Sequence, residues 1–107
     1  MSVREITIDE LKIALSNGSV VIDVRESDEY ESGHVPNAKH IPLGTVPNNM
    51  DLFRSDADVY VVCHSGGRSM WACEFLHDQG ITNVVNVIGG TAGWIALGNA
   101  ATTGQQP

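Results

Sequence analysis

The stretch of this chain equipped to do chemistry is Cys63-His64-Ser65-Gly66-Gly67-Arg68. It follows the apolar run Val59-Tyr60-Val61-Val62 and leads into an amphipathic segment ending near Gln79-Gly80. A thiol therefore stands at the exit of a strand, in a short glycine-containing loop, in front of a helix. Such a loop can curl until several backbone N–H groups point inward, and the helix behind it adds its own unpaired N–H groups and positive dipole end. An ordinary cysteine with a pKa of about 8.5 is roughly 3% ionised at pH 7, whereas a pKa of about 7 makes it roughly half ionised. The spacing predicts Cys63 as a nucleophile, His64, Ser65, Gly66 and Gly67 as an anion-binding loop, and Arg68 as a cation for an anionic substrate or leaving group. A carboxylate partner would instead make Arg68 a brace for the loop; the anion role is the expectation. His64 either contacts substrate or stands by in solvent.

The elements that must position these residues follow from patterning. Thr7-Ile8-Asp9-Glu10 forms a capping box, and Leu11, Ile13, Ala14 and Leu15 follow before Asn17-Gly18, predicting a helix over 8–16. Val20-Val21-Ile22-Asp23-Val24 is apolar and β-branched apart from Asp23, as a strand buried on both faces of a parallel sheet reads. Ser27-Asp28-Glu29-Tyr30 starts a short helix that stops at Gly33, and Lys39-His40-Ile41 adds a short strand before Pro42. Residues 43–57, holding Gly44, Pro47 and Asn48-Asn49, read mostly as connection with a helical turn. A strand at 59–62, a helix over about 69–79, a strand at Val84-Val85-Asn86-Val87 and a short helix at Trp94-Ile95-Ala96-Leu97 complete the alternation, and 98–107 reads as a frayed tail. Alternation of this kind predicts an α/β fold with a parallel sheet covered by helices on both faces, where ligands bind beyond the carboxyl ends of the strands. Cys63 falls at such an end. Asp23 and Arg25 fall at the neighbouring one, where hydrogen bonds between them would lock adjacent loops in a supporting role.

Composition limits the rest. A chain of 107 residues, 42% hydrophobic, is the size of one compact domain over 1–107. Its formal charge of −7 and pI near 4.7 argue against nucleic acid or an anionic membrane as partner. No apolar run approaches the roughly 20 residues that span a bilayer, and the start lacks a signal-peptide apolar core, so a cytoplasmic location is the expectation. Two cysteines make no disulfide framework, and four scattered histidines offer no ligand spacing, so neither a metal nor another cofactor is expected. Cys73 shares a helix face with Ser69, Ala72 and Leu76, which fits a packed free thiol; the alternative is a resolving cysteine that forms a disulfide with Cys63.

Five segments in register resemble the rhodanese domain: Val21-Ile22-Asp23-Val24-Arg25, Glu29-Tyr30, Gly33-His34-Val35-Pro36-Asn37-Ala38, the Cys63 to Arg68 loop, and Gly89-Gly90-Thr91-Ala92-Gly93-Trp94. The resemblance covers about residues 5–97. It implies a rhodanese-like three-layer domain around a five-stranded parallel sheet, and sulfane-sulfur transfer through a persulfide on Cys63. His34 then belongs to a structural motif and Trp94 anchors the core. The family usually has Gly where Asn37 stands, a position Asn fills because it tolerates positive φ. The related tyrosine phosphatases use a Cys-to-Arg loop one residue longer, so Ser69 stands where their arginine would be, and the shorter ring suits a persulfide.

The implied reaction is a double displacement. Cys63 thiolate attacks the outer sulfur of a donor such as thiosulfate, sulfite leaves, and the persulfide passes its sulfur to cyanide or a thiol. A persulfide carrier loaded by a sulfur-relay protein is the alternative, and a small phosphatase or arsenate reductase is disfavoured by ring size. The loop sequence does not identify the donor.

Overall fold

The computed structural model describes residues 2–107. Five strands, β1 (Arg4–Ile6), β2 (Val20–Asp23), β3 (Lys39–His40), β4 (Val59–Val62) and β5 (Val84–Val87), form one sheet in the order β1-β5-β4-β2-β3. Every pairing is parallel, as the alternating pattern requires. Four α-helices connect them: α1 (Ile8–Ser16), α2 (Ser27–Ser32), α3 (Gly67–Asp78) and α4 (Gly90–Ala96). Alternate strand residues feed two cores. Ile22, Val24, Val59, Val61, Cys63 and Val84 pack with Ala72, Cys73 and Leu76 of α3 on one face. Val21, Val62 and Val87 pack on the other with Leu11 of α1, Tyr30 of α2 and Trp94 of α4. This two-sided burial explains why β2, β4 and β5 read as apolar runs interrupted only by Asp23 and Asn86.

Helix α1 starts where the capping box predicts, with Thr7 Oγ1 accepting from Glu10 N–H and the Glu10 carboxylate accepting from Thr7 N–H. Strand β1 carries no periodic signal: it is three residues long, and Arg4 and Glu5 are exposed at the sheet edge. Its existence follows from pairing with β5, which the local sequence does not encode. Helix α4 starts at Gly90 rather than near Trp94, because the successive positive-φ residues Gly89 (88°) and Gly90 (59°) turn the chain directly into it. The connection after β3 contains two 3-10 turns, Leu43–Asn48 and Met50–Phe53, whose Val46 and Phe53 are fully buried. Asn37 has φ of 69°, the left-handed conformation expected of a residue in a glycine position.

The frayed tail expected over 98–107 is corrected. Trp94 Nε1 donates to Ala100 O at 2.7 Å, His34 and Thr102 exchange backbone hydrogen bonds at 2.9 Å, and Gly104 N donates to Glu31 O at 2.8 Å. The ring of fully buried His34 also meets the carbonyls of Tyr30 and Gln106, each at 2.7 Å, and stacks 3.7 Å from the Tyr30 ring. The tail is fastened by backbone groups, which its polar composition does not reveal.

Candidate active site

Strand β4 is central, so its carboxyl end brings Cys63 between the ends of β2 and β5. The loop then reverses at Gly66, whose φ of 120° excludes ordinary side chains and aims its N–H at Cys63 Sγ, 3.1 Å away. Ser69 Oγ of α3 approaches the same sulfur at 3.3 Å. The loop is held from behind by α4: Thr91 N donates to Cys63 O at 2.8 Å and Ala92 N to His64 O at 3.0 Å. With those carbonyls turned back, the N–H groups of Ser65, Gly66 and Ser69 bear on the sulfur. Gly90 makes this approach possible, since a Cβ there would lie 2.5 Å from His64 O and 2.6 Å from Cys63 O.

Two opposing effects act on the Cys63 thiol. Burial, which leaves the residue 1% exposed, is the larger single one and pushes its pKa up. The Ser69 hydroxyl and the N–H groups of Ser69, Gly66 and Ser65 together outweigh it, so the thiol titrates below its ordinary value. The arrangement aims donors at the sulfur that favour its ionised form.

Two arginine–carboxylate clamps flank the loop. Arg25 and Asp23 are both buried; Arg25 Nη2 lies 2.8 Å from Asp23 Oδ2 and donates to Gly33 O at 2.8 Å. Asp23 Oδ1 also accepts from Arg25 N–H at 2.9 Å, so this pair ties the end of β2 to the end of α2. Arg68 departs from expectation. It does not stand free for an anion but forms a two-pronged ion pair with Glu29, at 2.7 and 2.8 Å. The Arg68 guanidinium holds the Glu29 carboxyl down at about 2. Glu29 lies 39 positions away on α2, so nothing local to the loop announces it.

The structure gathers Cys63, Ser65, Gly66, Gly67, Arg68 and Ser69 into one loop and helix start, with Asp23 and Arg25 alongside. His64 and Ser65 have exposed side chains. Cys73 is fully buried in the α3 core, and burial pushes its pKa up to about 12. Local reading of the sequence misses Glu29, Asn86 and Glu5: Ser69 Oγ contacts Asn86 Oδ1, and Asn86 Nδ2 donates to Glu5 Oε2 at 2.9 Å. Asn86 did carry a signal. It is a polar residue inside the apolar run of a central strand, as Asp23 is in β2.

A family model described as Rhodanese-like domain matches residues 7–97, and the chain belongs to that family. A Bacillus subtilis protein, YrkF, provisionally named as a sulfur carrier, is 36% identical over 87% of this chain, which spans 51% of its length. The thiosulfate sulfurtransferase GlpE of Pseudomonas putida is 33% identical over 86% of this chain and 84% of its own. Among solved structures, a rhodanese-like domain protein from Staphylococcus aureus superposes with a TM-score of 0.83 at 38% identity, covering 94% of this chain and 98% of that one.

Proposed function

We propose that this protein is a sulfurtransferase that moves the outer sulfur of thiosulfate, or a related donor, to cyanide or a thiol through a persulfide on Cys63. The observation that carries this reading is the Cys63 sulfur itself, facing the Gly66 N–H and the Ser69 hydroxyl inside a six-residue ring. Thiolate attack on the outer sulfur of S–SO3(2−) forms Cys63–S–S(−) and releases SO3(2−). Attack by CN(−) on the outer sulfur of the persulfide then forms SCN(−) and returns the thiolate. Each step conserves charge and needs no external oxidant. The inward N–H groups stabilise the anion in both resting and loaded forms, so no dedicated general base is required.

The relatives named as sulfurtransferases support the transfer chemistry, and the relative named as a sulfur carrier supports a second reading, in which a protein partner loads Cys63. A specific contact favours that second reading: Glu29 already occupies Arg68, the cation a small dianion would otherwise use. An open groove of about 570 Å³ lined by Leu43, Pro47, Gly67, Arg68 and the exposed Trp71 lies beside the loop, with room for a partner's segment.

The test is an intact mass of the reduced protein after incubation with thiosulfate. A gain of one sulfur, about 32 Da and reversed by dithiothreitol, is expected in the wild type and absent in Cys63→Ser. Loading by thiosulfate only at very high concentration, but rapid loading from a cysteine-desulfurase persulfide, selects the carrier reading. Loading by neither sinks both.

A further inference from the structure

The Ser69 hydroxyl has one proton and three acceptors within reach. Its Oγ lies 3.3 Å from Cys63 Sγ, 3.2 Å from Gly66 O, and closest of all to Asn86 Oδ1. Asn86, only 2% exposed, hands its own amide N–H to Glu5 Oε2 at 2.9 Å. Glu5 sits on the exposed edge strand β1, so the chain Cys63···Ser69···Asn86···Glu5 runs from the nucleophile through the sheet to solvent.

The direction of this chain is not free. An ionised carboxylate only accepts, so Glu5 requires the NH2 of Asn86 on its side, which leaves the carbonyl of Asn86 facing Ser69. That carbonyl asks for the same proton that would otherwise go to the Cys63 sulfur. A Ser69 hydroxyl turned toward Asn86 presents lone pairs to Cys63, an arrangement that suits a thiol with a proton to give and not a thiolate. Turning Asn86 over would place its N–H on Ser69 Oγ and release the hydroxyl proton to the sulfur. That turn needs a donor where Glu5 stands.

We infer that Glu5 and Asn86 are positioning residues whose hydrogen bonds set the direction of the Ser69 hydroxyl, dividing its proton between Asn86 and the Cys63 sulfur. They touch neither donor nor acceptor and act only through Ser69. The inference rests on Cys63 being the sulfur-bearing thiol. Other charged or titratable groups bear on this corner: Arg68 feels the Cys63 thiolate, and the Cys73 thiol feels Cys63, Glu5 and Glu74. Among the described residues, the Asn86 side chain hydrogen-bonds only to Ser69 and Glu5.

The experiment follows the pH dependence of Cys63 alkylation by iodoacetamide, in a Cys73→Ala background so that one thiol reports. Glu5→Lys supplies a donor to Asn86 Oδ1 and turns the amide over; Glu5→Gln permits either orientation. Both replace an exposed side chain on an edge strand, and far-ultraviolet circular dichroism checks that the fold is kept. Below the thiol pKa, Glu5→Lys is expected to alkylate about 3- to 10-fold faster than wild type, equal to a pKa fall of about half to one unit, with Glu5→Gln between them. High salt separates the hydrogen-bond effect, which persists, from the field of an added surface charge, which is screened. Adding Ser69→Ala should abolish the difference among the Glu5 variants. Superimposable pH profiles for all three Glu5 forms, a shift that salt erases, or a shift that survives Ser69→Ala would each overturn the inference. Thiosulfate loading of the same samples, read by mass, keeps the two proposals apart: shifted profiles without loading sink the transfer reading alone, and normal loading with unmoved profiles sinks the relay alone.

Discussion

Cys63 and Cys73 are the same side chain, in the same core cluster, at 1% and 0% exposure, and they are pushed in opposite directions. Cys73, inside α3, has the apolar core around it; burial raises its pKa to about 12, and it stays a protonated, inert thiol. Cys63, at the mouth of β4, is buried among N–H groups and a hydroxyl, and titrates below the ordinary value despite its burial. Burial pushes both thiols up, and what separates them is the set of donors aimed at the Cys63 sulfur, which outweighs that push. The contrast also argues against a Cys63–Cys73 disulfide switch, since a thiol held near 12 makes a poor attacking partner at neutral pH.

The contrast is broken most severely at Gly90. A Gly90→Ala methyl has to displace the carbonyls of Cys63 and His64, now 2.6 and 2.5 Å from the methyl position. The expected cost is about 3 kcal/mol or more in thermal or urea unfolding, with alkylation of whatever remains folded losing its low-pH component. Ser69→Ala comes next. Removing the hydroxyl should move the Cys63 alkylation midpoint up by about half a pH unit, making Cys63 slightly more like Cys73, and should cost about 1–3 kcal/mol in unfolding because the buried Asn86 Oδ1 loses its donor. An unmoved midpoint would show that the backbone N–H groups alone hold the thiolate.

Glu29→Gln removes the outer clamp. With both partners about one-third exposed, its cost is about 1 kcal/mol after allowing for solvent screening. The sign follows from the lowered carboxyl: the pair's contribution is present above the usual value of 4.5 and is lost as pH falls toward about 2, so the difference from wild type should close across that window. If small dianions use Arg68, freeing it should also lower KM for thiosulfate; a carrier fed by a protein would show no such gain. Cys73→Ala has the smallest effect, about 1 kcal/mol at neutral pH and less than twofold on turnover. The raised Cys73 pKa gives wild type a stability contribution that is full below the ordinary thiol value of 9.0 and is lost as pH rises toward about 12. Cys73→Ala lacks that term and should be flatter across alkaline pH. Loss of turnover without loss of folding in this variant would restore Cys73 as a resolving cysteine.

What was legible in the sequence shared one property: it was written in a local run. The apolar strands β2, β4 and β5, the capping box of α1 and the Cys63 to Arg68 loop all announce themselves within a few residues. The supporting Asp23–Arg25 pair, two positions apart, was legible for the same reason. What escaped depends on distance along the chain. Strand β1 exists through its pairing with β5, Arg68 is fixed by a carboxylate 39 positions away, and the tail is held by the segment around His34. Helix α4 lies between these cases: its glycines read as a break because glycine is a poor helix former, and only the close approach to Cys63 and His64 explains their place.

The grip of α4 on the carbonyls of Cys63 and His64 has a consequence for the energetics of the proposed sulfur transfer. In water, a growing negative charge must drag solvent dipoles into line, and that reorganisation is a large part of the barrier. Here the peptide dipoles around the sulfur are aligned when the chain folds and are kept so by hydrogen bonds on their far side. The field that receives the incoming charge is therefore present before any donor binds, and the work of arranging it belongs to folding and not to turnover.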